Sequence, residues 1–511
     1  MFIKQEYTFW KIAHDLVVVQ GFEILHLNSQ THDLWLEKDY KWKTHVVRLK
    51  VAQFNWAREL MDDILLTYQR VKQNIRLFTG SRLMFHNLYL SEYPPVDDWE
   101  KAVTDVLKSD SKVNMKLYYL DEEHKSEESS RFYHSISLNS PQLGQNLQPA
   151  EMESIISYLR QQIVSSDQQR KRAALDLFKY GKPIMTYVLL ILNILVFFFV
   201  EWKGKSTSLI SLIQYGAKYN PALMDGEWWR IVTSMFLHIG FLHLFMNMLA
   251  LFYLGTAVER IYGSLRFTGI YFLAGIFGGL SSFMMNPQIA AGASGAIFGL
   301  FGALLFFGLL HKRLFFRTMG TNVLFIIGLN LAFGFIVPQV DNSAHLGGLT
   351  GGFIASMLIH LPKQKNLKVQ LLSLAIYILA AIGMVWGGTA QYSQSEQAGV
   401  QVQYTQELIK DKQYDQVIQT ATHALEFPGI YKAELLFNRS YAYTQKGQLD
   451  KAKQDLEKAV QVKPDMAEAH FNLALIYQKR GRLNQAKEEA EKAASLKPEQ
   501  ENFQKLLRSL N

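Results

Sequence analysis

Between residues 183 and 388 the chain is built from apolar stretches, near 183–201, 231–254, 267–285, 294–310, 320–338, 344–361 and 370–388. A bilayer core about 30 Å thick takes roughly 20 helical residues to cross. Backbone that crosses it must satisfy its own hydrogen bonds, which leaves helices as the form such segments take. The spacing predicts seven spans. The fourth is short and several are rich in glycine, a composition that suits a bundle, where small residues let helix backbones approach closely.

The rest of the 511 residues divides around this block. Residues 1 to about 180 read as soluble, and the stretch after about 395 is polar and rich in Ala, Glu, Lys and Gln. There is no cysteine, which removes disulfides, thiolate nucleophiles and Cys-ligated metals. The formal net charge of +8 lies largely in clusters beside apolar segments, where anionic lipid head groups are the natural partner. No interleaved basic and aromatic motif points to nucleic acid. The N-terminus lacks the basic start, apolar run and small-residue cleavage site of a signal peptide, so the first domain is expected in the cytoplasm.

Basic residues orient the spans. Arg170, Lys171, Arg172, Lys179 and Lys182 precede span one. Arg260 and Arg266 follow span two, Lys312, Arg313 and Arg317 follow span four, and Lys363, Lys365 and Lys368 follow span six. The short loops after spans three and five carry no Lys or Arg. By the positive-inside rule the N-terminus is cytoplasmic, and seven crossings leave the C-terminal region extracytoplasmic.

Polar side chains inside spans are costly and need a reason. Span two holds His238, His243 and Asn247; span four opens with Ser294 inside Gly292-Ala293-Ser294-Gly295; span six opens with His345. In this orientation all three spans run inward, so their polar groups converge near the outer face. A serine hydroxyl becomes a nucleophile when a base takes its proton, and His345 is the candidate base. The intermediate's oxyanion needs donors. His243 and Asn247, one helical turn apart, and the Ser294 amide can supply them. No acidic residue in the spans stands out as a third member, so a Ser-His dyad is expected. His345, Gly348 and Gly352 share a face, and Gly295 and Gly299 follow Ser294, so spans four and six are expected to touch. His238 reads more readily as a bundle support. Its five-residue spacing from His243 lacks the His-Glu-x-x-His pattern of zinc hydrolases, and no metal or cofactor is expected in the bundle.

These residues resemble the rhomboid family of intramembrane serine proteases. Gly226-Glu227-Trp228-Trp229-Arg230, His238, His243 through Asn247, Tyr253-Leu254-Gly255 with Glu259, Gly292 through Ala296, and Ala344 through Gly348 with Gly352 occur in family order over about two fifths of the chain. The resemblance implies a bundle of 6+1 spans with Ser294 as nucleophile and His345 as general base. It places His243, Asn247 and the Ser294 amide at the oxyanion hole. Trp228 and Arg230 would belong to the first outer loop, Glu227 and Glu259 would be structural, and Gly292, Gly295, Gly348 and Gly352 would serve packing. Where many members carry Tyr beneath the base, this chain has Phe298, which keeps a ring to stack on the imidazole and loses the hydroxyl.

The flanks have their own signals. Residues 432–465 align with 466–499 without a gap, pairing Asn438 with Asn472, Gly447 with Gly481 and Pro464 with Pro498. A 34-residue helix–turn–helix period resembles tetratricopeptide repeats, arrays that offer a concave surface to a protein or peptide partner. A degenerate unit is expected at about 398–430 and a capping helix at 500–511. Residues 1–150 read as α+β, with helices near 5–19, 56–78 and 97–108 and strands near 22–28, 33–38, 45–52, 83–90 and 114–121. Asp62-Asp63, Asp97-Asp98 and Asp121-Glu122-Glu123-His124 admit a regulatory divalent cation, though solvated turns and helix starts are the stronger reading. Residues 125–148 suggest a linker or long loop.

The expected organisation is a cytoplasmic domain at 1–150, a linker helix at 151–182, a protease domain at 183–388 and extracytoplasmic repeats at 398–511. Together these resemble the GluP-type rhomboids of Gram-positive bacteria, which implies the plasma membrane. The expected activity is hydrolysis of peptide bonds in or near transmembrane segments of membrane-protein substrates. The rival is a non-proteolytic membrane adaptor that recruits clients through its repeats. A transporter fits worse, since the spans show no inverted repeat and no charged pathway.

Overall fold

The computed structural model describes all residues except 1, 41–42, 75–81, 101–112, 144–146, 338–339, 393–396, 427 and 511. The chain forms two compact units, Met1–Leu177 with Arg313–Thr318, and Phe178–Lys312 with Met319–Asn511.

The first unit is a five-stranded sheet in the order β1 to β5. Helix α1 (Phe2–His14) leads through a π turn into β1 (Glu23–Asn28), β2 (Asp33–Tyr40) and β3 (Lys43–Val51). These three strands pair antiparallel. Helix α2 (Ala57–Gln73) crosses over to β4 (Arg82–Leu90), which runs parallel to β3 and to β5 (Val113–Leu120). Successive strand residues point to opposite faces, so the sheet has two cores. Val47, Leu49, Leu88 and Tyr118 pack with α1. Val46, Phe85, Leu117 and Tyr119 pack with Leu60 and Ile64 of α2. The expected helix at 97–108 lies largely outside the described residues.

Residues 125–148 are not all loop. Helix α3 (Lys125–Ser135) forms there, burying Phe132 and Tyr133 against the α1 core. Its Ser- and Glu-rich exposed face conceals that apolar edge in the sequence. Helix α4 (Pro149–Leu177) follows and buries Met152, Ile156, Leu159 and Ile163. Buried Glu37 is met by Arg313 and Arg317 of the segment 313–318, with Glu23 beside them.

In the second unit, helices occupy all seven expected places. They are α5 (Ile184–Lys203), α9 (Gly240–Tyr262), α10 (Ser264–Met285), α11 (Ser294–Leu310), α13 (Gly320–Ile336), α14 (Asn342–Ile359) and α15 (Leu367–Tyr392). Three short helices, α6 (Leu209–Gln214), α7 (Asn220–Met224) and α8 (Arg230–Thr233), lie between α5 and α9, and α12 (Lys312–Thr318) follows α11. By length and composition, four of the described helices suffice to cross a bilayer (α5, α9, α10 and α15), or five if α12 and α13 count as one. Helix α11 has 17 residues, only about 25 Å at the usual rise. Helix α14 has 18 residues, and its glycines with Asn342, Ser343 and His345 make it less apolar than the other spans. Leu195, Phe325, Phe335, Leu379 and Trp386 stand exposed, an apolar exterior suited to lipid.

The second span begins later than expected. Arg230–Thr233 form α8 and Ser234–Phe236 a 3-10 turn, and together they bury Ile231, Ser234 and Met235. The membrane-length helix starts only at Gly240, whose φ is +75°. The sequence could not separate inward-packed apolar residues of a loop from those of a span.

The repeats are helix pairs: α16 (Gln397–Lys410) with α17 (Tyr414–Ala424), α18 (Lys432–Gln445) with α19 (Leu449–Val462), and α20 (Ala467–Lys479) with α21 (Leu483–Leu496). Helix α22 (Glu501–Leu510) closes the array. Gly447 and Gly481 make the turns at φ of +74° and +73°, a conformation glycine adopts at no steric cost.

Candidate active site

Ser294 is the first residue of α11. The approach to it is held residue by residue. Lys218 and Ala290 exchange backbone hydrogen bonds of 2.9 and 3.0 Å, and the Gly292 amide donates to the Ser234 carbonyl at 2.9 Å. A Cβ on Gly292 would lie 2.9 Å from His243 Cε1, so the close approach of the imidazole requires glycine.

Helices α11 and α14 pack backbone to backbone. A Cβ on Gly348 would collide with the Gly295 carbonyl, and one on Gly352 with Gly299. This contact brings His345 over α11. Phe298, one turn beyond Ser294, lies parallel to the His345 ring with centroids 4.1 Å apart and planes 10° apart. His345 is buried and Ser294 half-buried. No hydrogen bond joins the two side chains among the described residues, and His345 Nδ1 is buried without a partner. Catalytic hydrogen bonds are often long before substrate binds.

Opposite them, the Ile239 amide donates to His243 Nδ1 at 3.3 Å. With Nδ1 accepting, the neutral ring carries its proton on Nε2. That nitrogen lies 3.1 Å from the Cβ position of Gly292, and Ser294 Oγ lies 3.8 Å from the same point. His243 and Ser294 thus border the same point at Gly292. Asn247 is buried, and its Nδ2 donates to the His243 carbonyl at 2.9 Å, which leaves its second amide hydrogen.

His238, expected inside span two, sits before α9. Its Nε2 accepts from the Ala293 amide at 3.5 Å, and its ring meets His243 edge-on at 5.4 Å. It supports the segment leading to Ser294. Arg230 donates to Glu227 at 2.5 Å and to the Ile213 carbonyl at 2.6 Å, with Trp229 beneath its guanidinium. Trp228 meets Phe283 edge-on. Glu259 is fully buried and accepts from the Met185 and Thr186 amides at 2.8 and 2.7 Å, so it caps α5.

Two residues escaped the sequence reading. Asp341 is the N-cap of α14. It accepts from the Ala344 amide at 3.0 Å and from the Ser282 and Ser343 hydroxyls. Lys218 is buried and donates to the Asn286 carbonyl at 2.7 Å. Burial pushes its pKa down to about 8, with Asp341 acting in the opposite direction. Asp341 in turn is raised by burial, but Lys218 and its hydrogen-bond donors outweigh this and hold it below its ordinary value. An Asp just ahead of a helix is a readable capping signal; a single loop lysine carries none.

Among the described residues no group of three or more His, Asp or Glu is arranged to hold a metal ion. Asp63 is engaged by Arg48 and Lys50, and Asp121 by the Glu123 and His124 amides.

The fold and this site define a helical membrane protein in which two glycine-packed helices carry a serine and a histidine at the same end, the histidine stacked on a phenylalanine one turn from the serine. The model of the Rhomboid domain matches residues 225–362, and repeat models match 441–481 (TPR repeat) and 467–500 (Tetratricopeptide repeat). The chain is 37% identical over 473 residues to Rhomboid protease GluP of Bacillus subtilis (strain 168), covering 90% of this chain and 89% of that one. It is 37% identical over 162 residues to RHOMBOID-like protein 5 of Arabidopsis thaliana, covering 31% of this chain and 52% of that one. The chain belongs to the rhomboid protease family, with tetratricopeptide repeats after its rhomboid domain.

Proposed function

We propose that the protein is an intramembrane serine endopeptidase that cuts membrane-protein substrates in or near their transmembrane segments with a Ser294–His345 dyad. The observation that carries this is the stacking of His345 on Phe298, one turn from Ser294. His345 Nε2 takes the Ser294 proton as Oγ attacks the substrate carbonyl. The oxyanion gathers the His243 Nε2–H, the free Asn247 amide hydrogen and the Ser294 backbone N–H. His345 then passes its proton to the leaving amine, and water, activated by the same imidazole, releases the acyl group. No carboxylate is hydrogen-bonded to His345 among the described residues, so the position of its ring depends on Phe298 and on the Asp341-capped start of α14. Substrate helices must unwind locally, because a helical carbonyl is engaged by its own backbone.

The domain reading is 1–150, 151–182, 183–388 and 398–511, with 6+1 spans in the plasma membrane, the N-terminus cytoplasmic and the repeats extracytoplasmic. Two contacts support the sidedness. Segment 313–318, after span four, binds Glu23 and Glu37 of the N-terminal domain, and positive-inside counting puts both in the cytoplasm. Helix α16 packs with α6, in the loop on the Ser294 side. The repeats would receive a protein or peptide partner; a regulatory divalent cation at the N-terminal domain is the lesser reading, with no group of three or more His, Asp or Glu among the described residues to hold it.

Labelling by a fluorophosphonate probe tests the reading against an adaptor. The wild type should label and Ser294→Ala should not. A folded wild type that never labels would favour the adaptor.

A further inference from the structure

The first repeat helix packs against the loop before α8 and against the segment that leads to Ser294. Val400 and Tyr404 of α16 share a buried cluster with Ile213, Tyr219, Ala222 and Ile289. Tyr404 meets Tyr219 edge-on at 5.9 Å. Leu408 and Tyr404 form a second cluster with Ile210 and with Val417 and Ala442 of the following repeat helices. Glu407 accepts from the Ile210 amide and from the Ser208 hydroxyl, each at 3.4 Å, at the start of α6. A solubilising appendage would present polar residues here, yet Val400 is 2% exposed.

Ile289 gives the contact its consequence. It lies five residues before Ser294 and one before Ala290, whose amide and carbonyl are both held by Lys218. The next amides are anchored too, Gly292 on Ser234 and Ala293 on His238. On the loop side, Arg230 ties Ile213 and Ala217, at the end of α6, to Glu227. One face of α16 thus touches both the loop and the segment that aims the serine.

We propose that α16 is a positioning element of the protease site, holding segment 286–293 through Val400 and Tyr404 and the α6 helix through Glu407. This rests on the reading of Ser294 as nucleophile. The repeats then act on reactivity as well as on recruitment. Displacement of a reacting group by ~1 Å can cost on the order of 100-fold in rate, so loosening this brace is expected to slow Ser294 by about tenfold or more.

The test uses the full chain in liposomes, with Tyr404→Ala, Val400→Asp and, as the conservative control, Tyr404→Phe. Two readouts are taken: the rate of fluorophosphonate labelling, which needs no substrate recruitment, and backbone amide exchange over 286–293. Exchange over 432–496 shows whether the repeats stay folded; where Val400→Asp disturbs them, Tyr404→Ala decides. Both disrupting variants should exchange faster at 286–293 and label about tenfold more slowly, with Tyr404→Phe like wild type. Unchanged exchange at 286–293 overturns the brace. Faster exchange with an unchanged labelling rate overturns its effect on Ser294. A wild type that never labels, in which Tyr404→Ala still speeds exchange, leaves the brace standing and removes the protease reading instead.

Discussion

In the proposed dyad the ring of Phe298 lies against the face of the His345 imidazole. An aromatic pair of this kind contributes roughly 0.5–1.5 kcal/mol beyond its buried area, equivalent to about 2- to 10-fold in a rate. Phe298→Ala should therefore lower kcat for cleavage by about that factor with KM little changed, because the ring touches the base and not the substrate. Phe298→Tyr keeps the ring and should stay active. Steady-state kinetics on a fluorogenic membrane substrate check this; an unchanged kcat in Phe298→Ala would show that stacking does not position the base. Ser294, His243 and His345 were legible because polar groups at the ends of apolar runs have few cheaper explanations. Lys218 was not, since a loop lysine is solvated by default and only the fold reveals that this one is buried.

At the level of elements, the glycine face between α11 and α14 sets the distance between nucleophile and base. Gly348→Ala forces a methyl into the Gly295 carbonyl, and overpacking of this kind costs about 1–3 kcal/mol. It should lower the thermal midpoint and cleavage together. Gly328→Ala, with nothing within 4 Å of its Cβ position on α13, should do neither; equal effects in both would count against the packing argument. In the N-terminal unit, Asp63 is half-buried between Arg48, Lys50 and Tyr89. Burial acts to raise its pKa, but Arg48 and the other donors outweigh this and bring it to about 2. A carboxyl depressed in the folded state stabilises above its unfolded value and loses that contribution as pH falls through the folded one. Protection of α2 amides should thus decline from about pH 4 toward pH 2, and Asp63→Asn should flatten that decline. A wild-type profile already flat over this window would contradict the assignment. The strands could be read as short strand-like runs, and the repeats from their 34-residue period. Helix α3 and the true start of span two could not, because their apolar residues face neighbours that only the tertiary structure supplies.

Across the whole molecule, three sequence signals of different kinds identified three regions: hydropathy for the bundle, strand-like runs for the sheet, and period for the array. The joints between regions left no such trace. Arg313 and Arg317 read as orienting charges, yet they also clasp Glu37. Val400 reads as an ordinary repeat residue, yet it packs against the loop beside the serine. Such contacts depend on surfaces meeting across hundreds of residues, where no local pattern survives. The central claim remains the chemistry of Ser294 and His345. It is tested most directly by cleavage of a model single-span substrate in liposomes, comparing wild type with Ser294→Ala and His345→Ala. The account predicts cleavage by the wild type and none by either variant, with all three bundles equally folded. Cleavage that survives in both variants would contradict it.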